Sequence, residues 1–419
     1  MQTRSFSHFR SLTSQQRHAF IACFLGWSLD AFDYFLLVFC VSAIAADFHA
    51  RTSAVAEALF LTLAFRPVGA FLFGAIADKF GRRPALMINV GCYSVLELAC
   101  AFAPSLHALL ILRALFGIAM GGEWGVGAAL AFETLPKEGR GFFSGVLQEG
   151  YAIGYLVAGA VYATLYKPFT HLVWQGHVVG WRGLFIVGAL PAVLVLYIGL
   201  KVEESPVWRA GRGDAAKSAI STTSSIRKYA LTFLFIVLLM TGFNFFSHGT
   251  QDLYPTFLEK DHGFSAALTG GVAIVYTIGA LLGGIFFGSL SERYGRKRAI
   301  ISATLLALPV IPFFAFGHSL YVLAIGAFLM QFMVQGAWGA IPAYLTELSP
   351  GPVRATFPGL AYQLGNLLAS RCAVLQARAA ERHGNYAVVL AATVLIGAIY
   401  LAIVTSFGRE AKGVEMTAE

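Results

Sequence analysis

Charged side chains are scarce in this sequence. They make up 12% of its 419 residues, about half the ~25% usual in soluble domains, and the mean hydropathy is +0.69. A water-soluble globular protein is excluded on that ground. Cysteine is sparse as well. Cys23, Cys40, Cys92, Cys100 and Cys372 all sit in apolar runs, at spacings that suit neither a disulfide framework nor a metal site. Nucleophile elbow, metal-ligand spacing and phosphate loop are all missing, so the sequence offers no enzyme chemistry and no cofactor is expected. Long polar tracts are missing too; residues 201–228 form the one substantial example. The formal charge of +8 raises nucleic acid as a partner. The basic residues are instead dispersed over loops, as membrane insertion requires, and no nucleic-acid partner is expected.

What is present is apolar sequence in twelve runs, near 18–46, 54–77, 84–103, 107–132, 140–163, 181–200, 229–258, 265–289, 299–316, 319–346, 355–377 and 385–407. Each is long enough to cross a bilayer as a helix. The expected fold is an all-α membrane protein with a cytoplasmic tail (1–17), a six-helix bundle (18–200), a cytoplasmic linker (201–228), a second six-helix bundle (229–407) and a tail (408–419). With the N-terminus inside, and with Arg140 and Arg182 at span ends counted with the loops they adjoin, 21 of the 30 Lys and Arg fall in inside segments, 6 outside and 3 within spans. The positive-inside rule then places both termini in the cytoplasm of a multi-pass plasma-membrane protein, the inner membrane if the cell is bacterial. Ala43-Ile-Ala45 is faintly cleavage-like. The run before it is too long for a signal core and contains two Asp, so no cleaved signal peptide is expected.

Charges inside the spans mark candidate functional groups, because each needs a partner, water or a substrate. The first span carries Asp30 and Asp33, which share a helix face at i, i+3. Two carboxylates that close in low dielectric do not both ionise cheaply, which suits proton coupling; a fixed pairing to a nearby Arg is the architectural alternative. Arg66 lies near the centre of the second span. Its fork suits a carboxylate, whether that of a substrate, Asp30, Asp33 or Glu123. Glu123 is deep in the fourth span and has Arg66 as its plausible partner. Arg113, in the outer third of that span, either lies near coupling groups or snorkels outward. Glu133 and Arg140 flank the inner end and read as a gating pair. Glu149 of the fifth span is a lesser candidate. Gln363 and Asn366 of the eleventh share a face and either bind an acid or clasp a neighbouring helix.

The second half repeats the first at an offset of 214 residues. Gly74, Asp78, Gly81 and Arg82 map to Gly288, Glu292, Gly295 and Arg296. Gly122, Trp124 and Gly125 map to Gly336, Trp338 and Gly339. Glu133, Pro136 and Arg140 map to Glu347, Pro350 and Arg354. One offset holding across loops implies a duplicated bundle, with the halves related by an axis along the membrane normal and a substrate between them near mid-depth. The same offset sends Asp30 to Asn244 and Asp33 to Ser247. In the seventh span Asn244, His248, Gln251, Asp252 and Thr256 fall on one helix face. A stripe of five polar groups exceeds what gluing helices together requires.

Three of these features resemble known families. Gly74-Ala-Ile-Ala-Asp78-Lys-Phe-Gly81-Arg82-Arg83 is similar to the best-known loop signature of the major facilitator superfamily, whose role is conformational. Asp78, Gly81 and Arg82, with their counterparts Glu292, Gly295 and Arg296, are accordingly assigned to conformational change; Glu133 and Arg140, with Glu347 and Arg354, are assigned to gating, and so is Arg113, which resembles the superfamily's helix-4 arginine. Glu204-Ser-Pro-x-x-Trp208 resembles the closure of sugar and metabolite porters. Residues 244–256 match every defined position of Asn-x-x-[Ser/Thr]-His-x-[Ser/Thr]-Gln-Asp-x-x-x-Thr, the signature of the lactate/pyruvate permeases in the sialate:proton symporter group of that superfamily. The resemblance implies proton-coupled symport of a small monocarboxylate by alternating access. Arg66, Asn244, His248, Gln251, Gln363 and Asn366 are the expected substrate-binding residues, and Asp30, Asp33, His248 and Asp252 the expected proton-coupling groups. A proton symporter of sialate or an aromatic acid is the alternative. A non-transporting solute receptor is the alternative of a different class. The expected partners are a small organic acid, a proton and the lipid bilayer, with the monomer as the working unit.

Overall fold

The computed structural model describes residues 9–174, 177–215, 222–383 and 385–417. Residues 1–8 of the expected N-terminal tail, 216–221 of the expected linker and 418–419 of the C-terminal tail lie outside the described residues. The chain is almost wholly helical, and the apolar runs become helices α1 Ser14–Asp47, α2 Thr52–Phe80, α3 Arg82–Ala101, α4 Leu106–Thr134, α6 Gly180–Lys201, α7 Ala230–Lys260, α8 Ala266–Tyr294, α9 Arg296–Ala315, α10 Leu320–Leu348 and α12 Tyr386–Phe407. These ten are long and apolar enough to cross a bilayer. The fifth and eleventh places are filled by broken helices: α5 comprises Arg140–Gln148 and Gly150–Thr170, and α11 comprises Thr356–Ala369 and Cys372–His383. A two-residue hairpin, Val173–Trp174 against His177–Val178, links α5 to α6.

Local chemistry explains the ends. Thr13 and Gln16 form a capping box at the start of α1. Between α2 and α3, and between α8 and α9, the chain turns at Gly81 (φ 114°) and Gly295 (φ 96°). Those angles lie in the region that glycine tolerates. The helix of α7 breaks after Gln251 and resumes at Tyr254, where Pro255 lacks the N–H that would continue the ladder. Thr256 therefore lies beyond a break, and the five-residue stripe expected on one continuous helix is split.

The packing is itself repeated. Helix α2 packs against α4 as α8 does against α10, and α1 against α5 as α7 does against α11. Between the halves α2 meets α11, and α8 meets α5, the matching pair under the repeat. Glycines allow the closest approaches: Gly117 and Gly121 of α4 lie on the backbone carbonyls of Thr62 and Arg66, and Gly279 and Gly283 of α8 lie on those of Phe328 and Phe332. One large apolar cluster draws on residues 236–411 with Trp27 and Trp124. Two others draw on residues 12–202 with Ala343 and Ala355. Outward-facing apolar side chains such as Leu231 (85% exposed) and Phe407 (82% exposed) form a surface suited to lipid.

Candidate functional site

The acids of α1 do not act as one pair. Asp30 turns to α2, where Arg66 Nη2 donates to its Oδ2 at 3.0 Å, and both side chains are sealed. Glu123 of α4 stands within electrostatic reach of Asp30 and Arg66 and packs on Gly26. The expected Arg66–Glu123 pair is not formed, because the guanidinium is committed to Asp30. Neither Glu123 carboxylate oxygen has a hydrogen-bond partner among the described residues. Asp33, one turn further along α1, lies beside a second arginine. Arg113 pairs with Glu97 of α3 at 2.9 Å, both fully buried, and its guanidinium lies 4.7 Å from the Phe116 ring and 4.6 Å from that of Phe185. Arg113 therefore does not snorkel. At Gly188 of α6 a Cβ would meet Asp33 Oδ1 at 3.2 Å and Glu97 Cγ at 2.9 Å, so the missing side chain makes room for two acids. Glu97 was overlooked in the sequence, although a lone carboxylate in the apolar run 84–103 is the same signal that singled out Arg66.

Two sealed clusters result, Asp30–Arg66–Glu123 and Asp33–Arg113–Glu97. Each holds two carboxylates and one guanidinium. An uncompensated buried charge is costly, and one proton per cluster makes the count neutral.

Across the interface, α7 presents His248. Its Nδ1 lies 3.2 Å from Asp252 Oδ2 and its Nε2 lies 3.1 Å from Asn366 Oδ1 of α11. Both ring nitrogens thus face acceptor oxygens, and the His248 and Asp252 side chains are 36% and 37% exposed. The rest of the stripe disperses. Gln251 donates to Ser247 Oγ (3.2 Å) and to Gln331 of α10 (2.9 Å). Gln331 donates in turn to Thr250, and Gln335 to Ser247. Asn244 is buried and donates to the Met240 carbonyl of its own helix at 2.8 Å. Gln363 is buried, and neither end of its amide has a partner among the described residues. It makes no clasp with a neighbour. Arg371 is exposed and makes no ion pair among the described residues. Beside Gln363, Tyr362 packs tilted against Trp124 (5.1 Å between centroids) and edge-on to Trp338 (5.6 Å) and Trp27 (6.4 Å). Trp124 and Trp338 are counterparts in the repeat, and all three indole N–H groups are buried without an acceptor among the described residues.

On the face that carries the α2–α3 and α8–α9 loops, the halves are bonded together. Asp78 accepts from the Ala355 N–H (3.0 Å), the Thr356 N–H (3.1 Å) and the Thr356 hydroxyl (2.6 Å) at the start of α11. Its counterpart Glu292 accepts from the Gly141 N–H at the start of α5. Arg82 forks onto Glu133 (3.0 and 2.9 Å) as Arg296 does onto Glu347 (3.0 and 3.0 Å). The expected Glu133–Arg140 pair is replaced by two crossed pairs, Glu133–Arg354 at 3.4 Å and Arg140–Glu347 at 4.0 Å. Each glutamate already receives an arginine from its own half, and the second cation comes from the other. Glu204 and Glu410 also correspond: each carboxylate accepts from backbone N–H groups just after a loop glycine, Arg82 and Arg83 for one, Arg296 and Lys297 for the other.

A duplicated helical bundle, latched at one end around buried charge, is the architecture of a secondary transporter. Residues 18–232 match the family described as Sugar (and other) transporter, and residues 252–415 match the Major Facilitator Superfamily. The chain belongs to the major facilitator superfamily and is a transporter, not an enzyme. It is 29% identical over 396 residues to a carboxylic acid transporter protein homolog of Saccharomyces cerevisiae, covering 89% of this chain and 63% of the yeast protein. The chain thus spans somewhat less than two thirds of that relative's length. It is 29% identical to the sialic acid transporter NanX of Escherichia coli, over 85% of each chain. The structure of the proton:xylose symporter XylE bound to 6-bromo-6-deoxy-D-glucose superposes with a TM-score of 0.74 at 18% identity, covering 96% of this chain and 97% of that one. At that identity the likeness concerns the fold.

Proposed function

We propose that the protein is a proton-coupled symporter of a small monocarboxylate such as lactate or pyruvate. The observation that carries this reading is the pairing of two acid-rich clusters in the first half with the Asp252–His248–Asn366 chain in the second. Arg66 is the cation for the substrate carboxylate, exchanging Asp30 for it as Asp30 takes a proton. His248, oriented by Asp252, is the alternative carrier of that one proton. Gln363, whose amide has no partner among the described residues, and Asn366 orient the 2-oxygen, and Asn244 and Gln251 shape the wall behind them. The bonds at the loop face hold one entrance shut, and rocking of the halves opens it. Moving one anion with one proton is electroneutral, so the driving force is the pH gradient, about 1.4 kcal/mol per unit. Both termini are placed in the cytoplasm, the protein in the plasma or bacterial inner membrane, and the working unit as a monomer.

A second reading, an aromatic or larger acid, is favoured by the rings of Trp27, Trp124, Trp338 and Tyr362 beside Gln363. The names of the two relatives, a carboxylic acid transporter homolog and a sialic acid transporter, support an organic acid without choosing among them. The test is uptake of radiolabelled L-lactate into proteoliposomes under an imposed pH gradient, with pyruvate, sialate and benzoate as competitors. Accumulation blocked by pyruvate alone is the expected result. Competition by benzoate alone favours the second reading, and absence of lactate flux rejects the first. In the same assay His248→Ala loses gradient-driven accumulation; normal uptake would remove His248 from the mechanism.

A further inference from the structure

The loop face carries a cleft to which the proposed transport cycle assigns no role. It opens between the ends of α8, α9 and α12 and the segment after Gly408, with a volume of about 540 Å³, and Arg293, Lys297, Arg298 and Lys412 line it. Arg293, Arg298 and Lys412 are exposed, and Lys297 is half-buried. Neither Arg293 nor Arg298 has a side-chain ion pair among the described residues. Lys297 and Lys412 each donate to a backbone carbonyl, those of Ser406 (2.8 Å) and Arg293 (2.9 Å), which leaves each ammonium with further donors. One carboxylate, Glu410, is in the wall. It is held by the N–H groups of Arg296, Lys297, Ala411 and Lys412 at 2.8–3.2 Å. Four cations against one carboxylate leave the cleft strongly positive.

The cleft is continuous with apolar surface. On α12 the residues Ile396, Ile399, Ile403 and Phe407 are 61%, 43%, 52% and 82% exposed, and their spacing places them on one face. That stripe runs from the cleft along the half of α12 nearest the loop face. On the neighbouring α9, Leu305 is 43% exposed. Soluble phosphate would need only the cations; cations leading into an apolar stripe match a headgroup with chains attached. The internal repeat provides a comparison. The matched positions of Arg293 and Lys297 are Lys79 and Arg83, but Arg298 corresponds to Pro84, and Lys412 corresponds to Pro206 when Glu410 is set on Glu204. The concentration of charge is therefore a property of the second half alone, so the shared loop architecture does not account for it.

We propose that this cleft binds the phosphate-bearing headgroup of an anionic phospholipid, with its acyl chains lying along α12. The site lies on the same segment as Arg296 and Glu292, so an occupied cleft ties the bilayer surface to the latch of the second half. The test uses full-length protein in mild detergent, with lipid retention read by native mass spectrometry. The probes are phosphatidylglycerol, phosphatidylcholine of the same chains, and glycerol phosphate as the bare headgroup. Phosphatidylglycerol is expected to be retained in preference to phosphatidylcholine. Arg298→Gln with Lys412→Gln is expected to weaken it about fivefold for each charge removed, with phosphatidylcholine unaffected. Equal retention of the two lipids, or unchanged retention by the double variant, overturns the proposal. Competition by glycerol phosphate at the concentration of the lipid overturns it as well, because the ligand is then a soluble anion. Arg298→Gln alone, at an exposed position, repeats the comparison if the double variant is unstable.

Discussion

Replacing Asp78 with Asn shifts the protein away from the conformation described here. The carboxylate accepts three bonds across the interface, from Ala355, Thr356 and the Thr356 hydroxyl, and lies 3.3 Å from Arg82 with its side chain 5% exposed. Hydrogen bonds to a charged group contribute about 1.5–3 kcal/mol, against about 1 kcal/mol for neutral ones. The amide keeps one acceptor oxygen, loses the charge, and turns an NH₂ toward N–H donors. The negative charge at the start of α11 also contributes a few tenths to 1 kcal/mol. A loss of about 2–3 kcal/mol follows for the closed arrangement alone, because water satisfies the same donors once the interface opens. That is a change of about 30- to 150-fold in the ratio of closed to open protein. Spin labels at the exposed Glu138 and Arg227, read by double electron–electron resonance, report the separation of the halves on this face. Asp78→Asn is expected to move the main population to longer distance. Glu292→Gln, which takes the charge from one cross-interface backbone bond, moves a smaller fraction. An unchanged distribution in Asp78→Asn, with the protein folded, would refute the reasoning.

Two further outcomes follow from buried groups. Glu97→Gln removes the charge paired with the fully buried Arg113 at 2.9 Å and leaves Asp33 as the one acid of the cluster. Asp33→Asn/Glu97→Gln leaves the guanidinium uncompensated, and we expect that double variant to lose about 3–5 kcal/mol, seen as a large fall in thermal unfolding temperature in detergent, with Glu97→Gln alone less damaged. Gly117→Leu forces a side chain onto the Thr62 carbonyl. The α2–α4 contact cannot yield without moving backbone, so the yield of monodisperse protein should collapse, whereas Gly270→Leu, with open space around its Cβ position, should be tolerated.

The membrane-spanning class, the helical content, the duplication and the identity of the loop-face charges were legible in the chain alone. Each rests on a property that survives without coordinates: the scarcity of charge over runs of about 20 residues, and one offset shared by Gly81, Arg82, Glu133 and their counterparts. Short-range pairing was legible for the same reason, because residues four apart on a helix are neighbours, and His248 does meet Asp252. The tertiary structure alone decided which charge meets which across helices. Asp30 and Asp33 share a face by spacing, yet packing sends one to Arg66 and the other toward Glu97 and Arg113. Glu133 and Arg140 adjoin the same loop, yet each takes a partner from the other half. Helix spacing specifies the direction of a side chain within its own helix; the partner it finds depends on the rotation and depth at which two helices dock, and those are set by the glycines and apolar side chains of the whole interface.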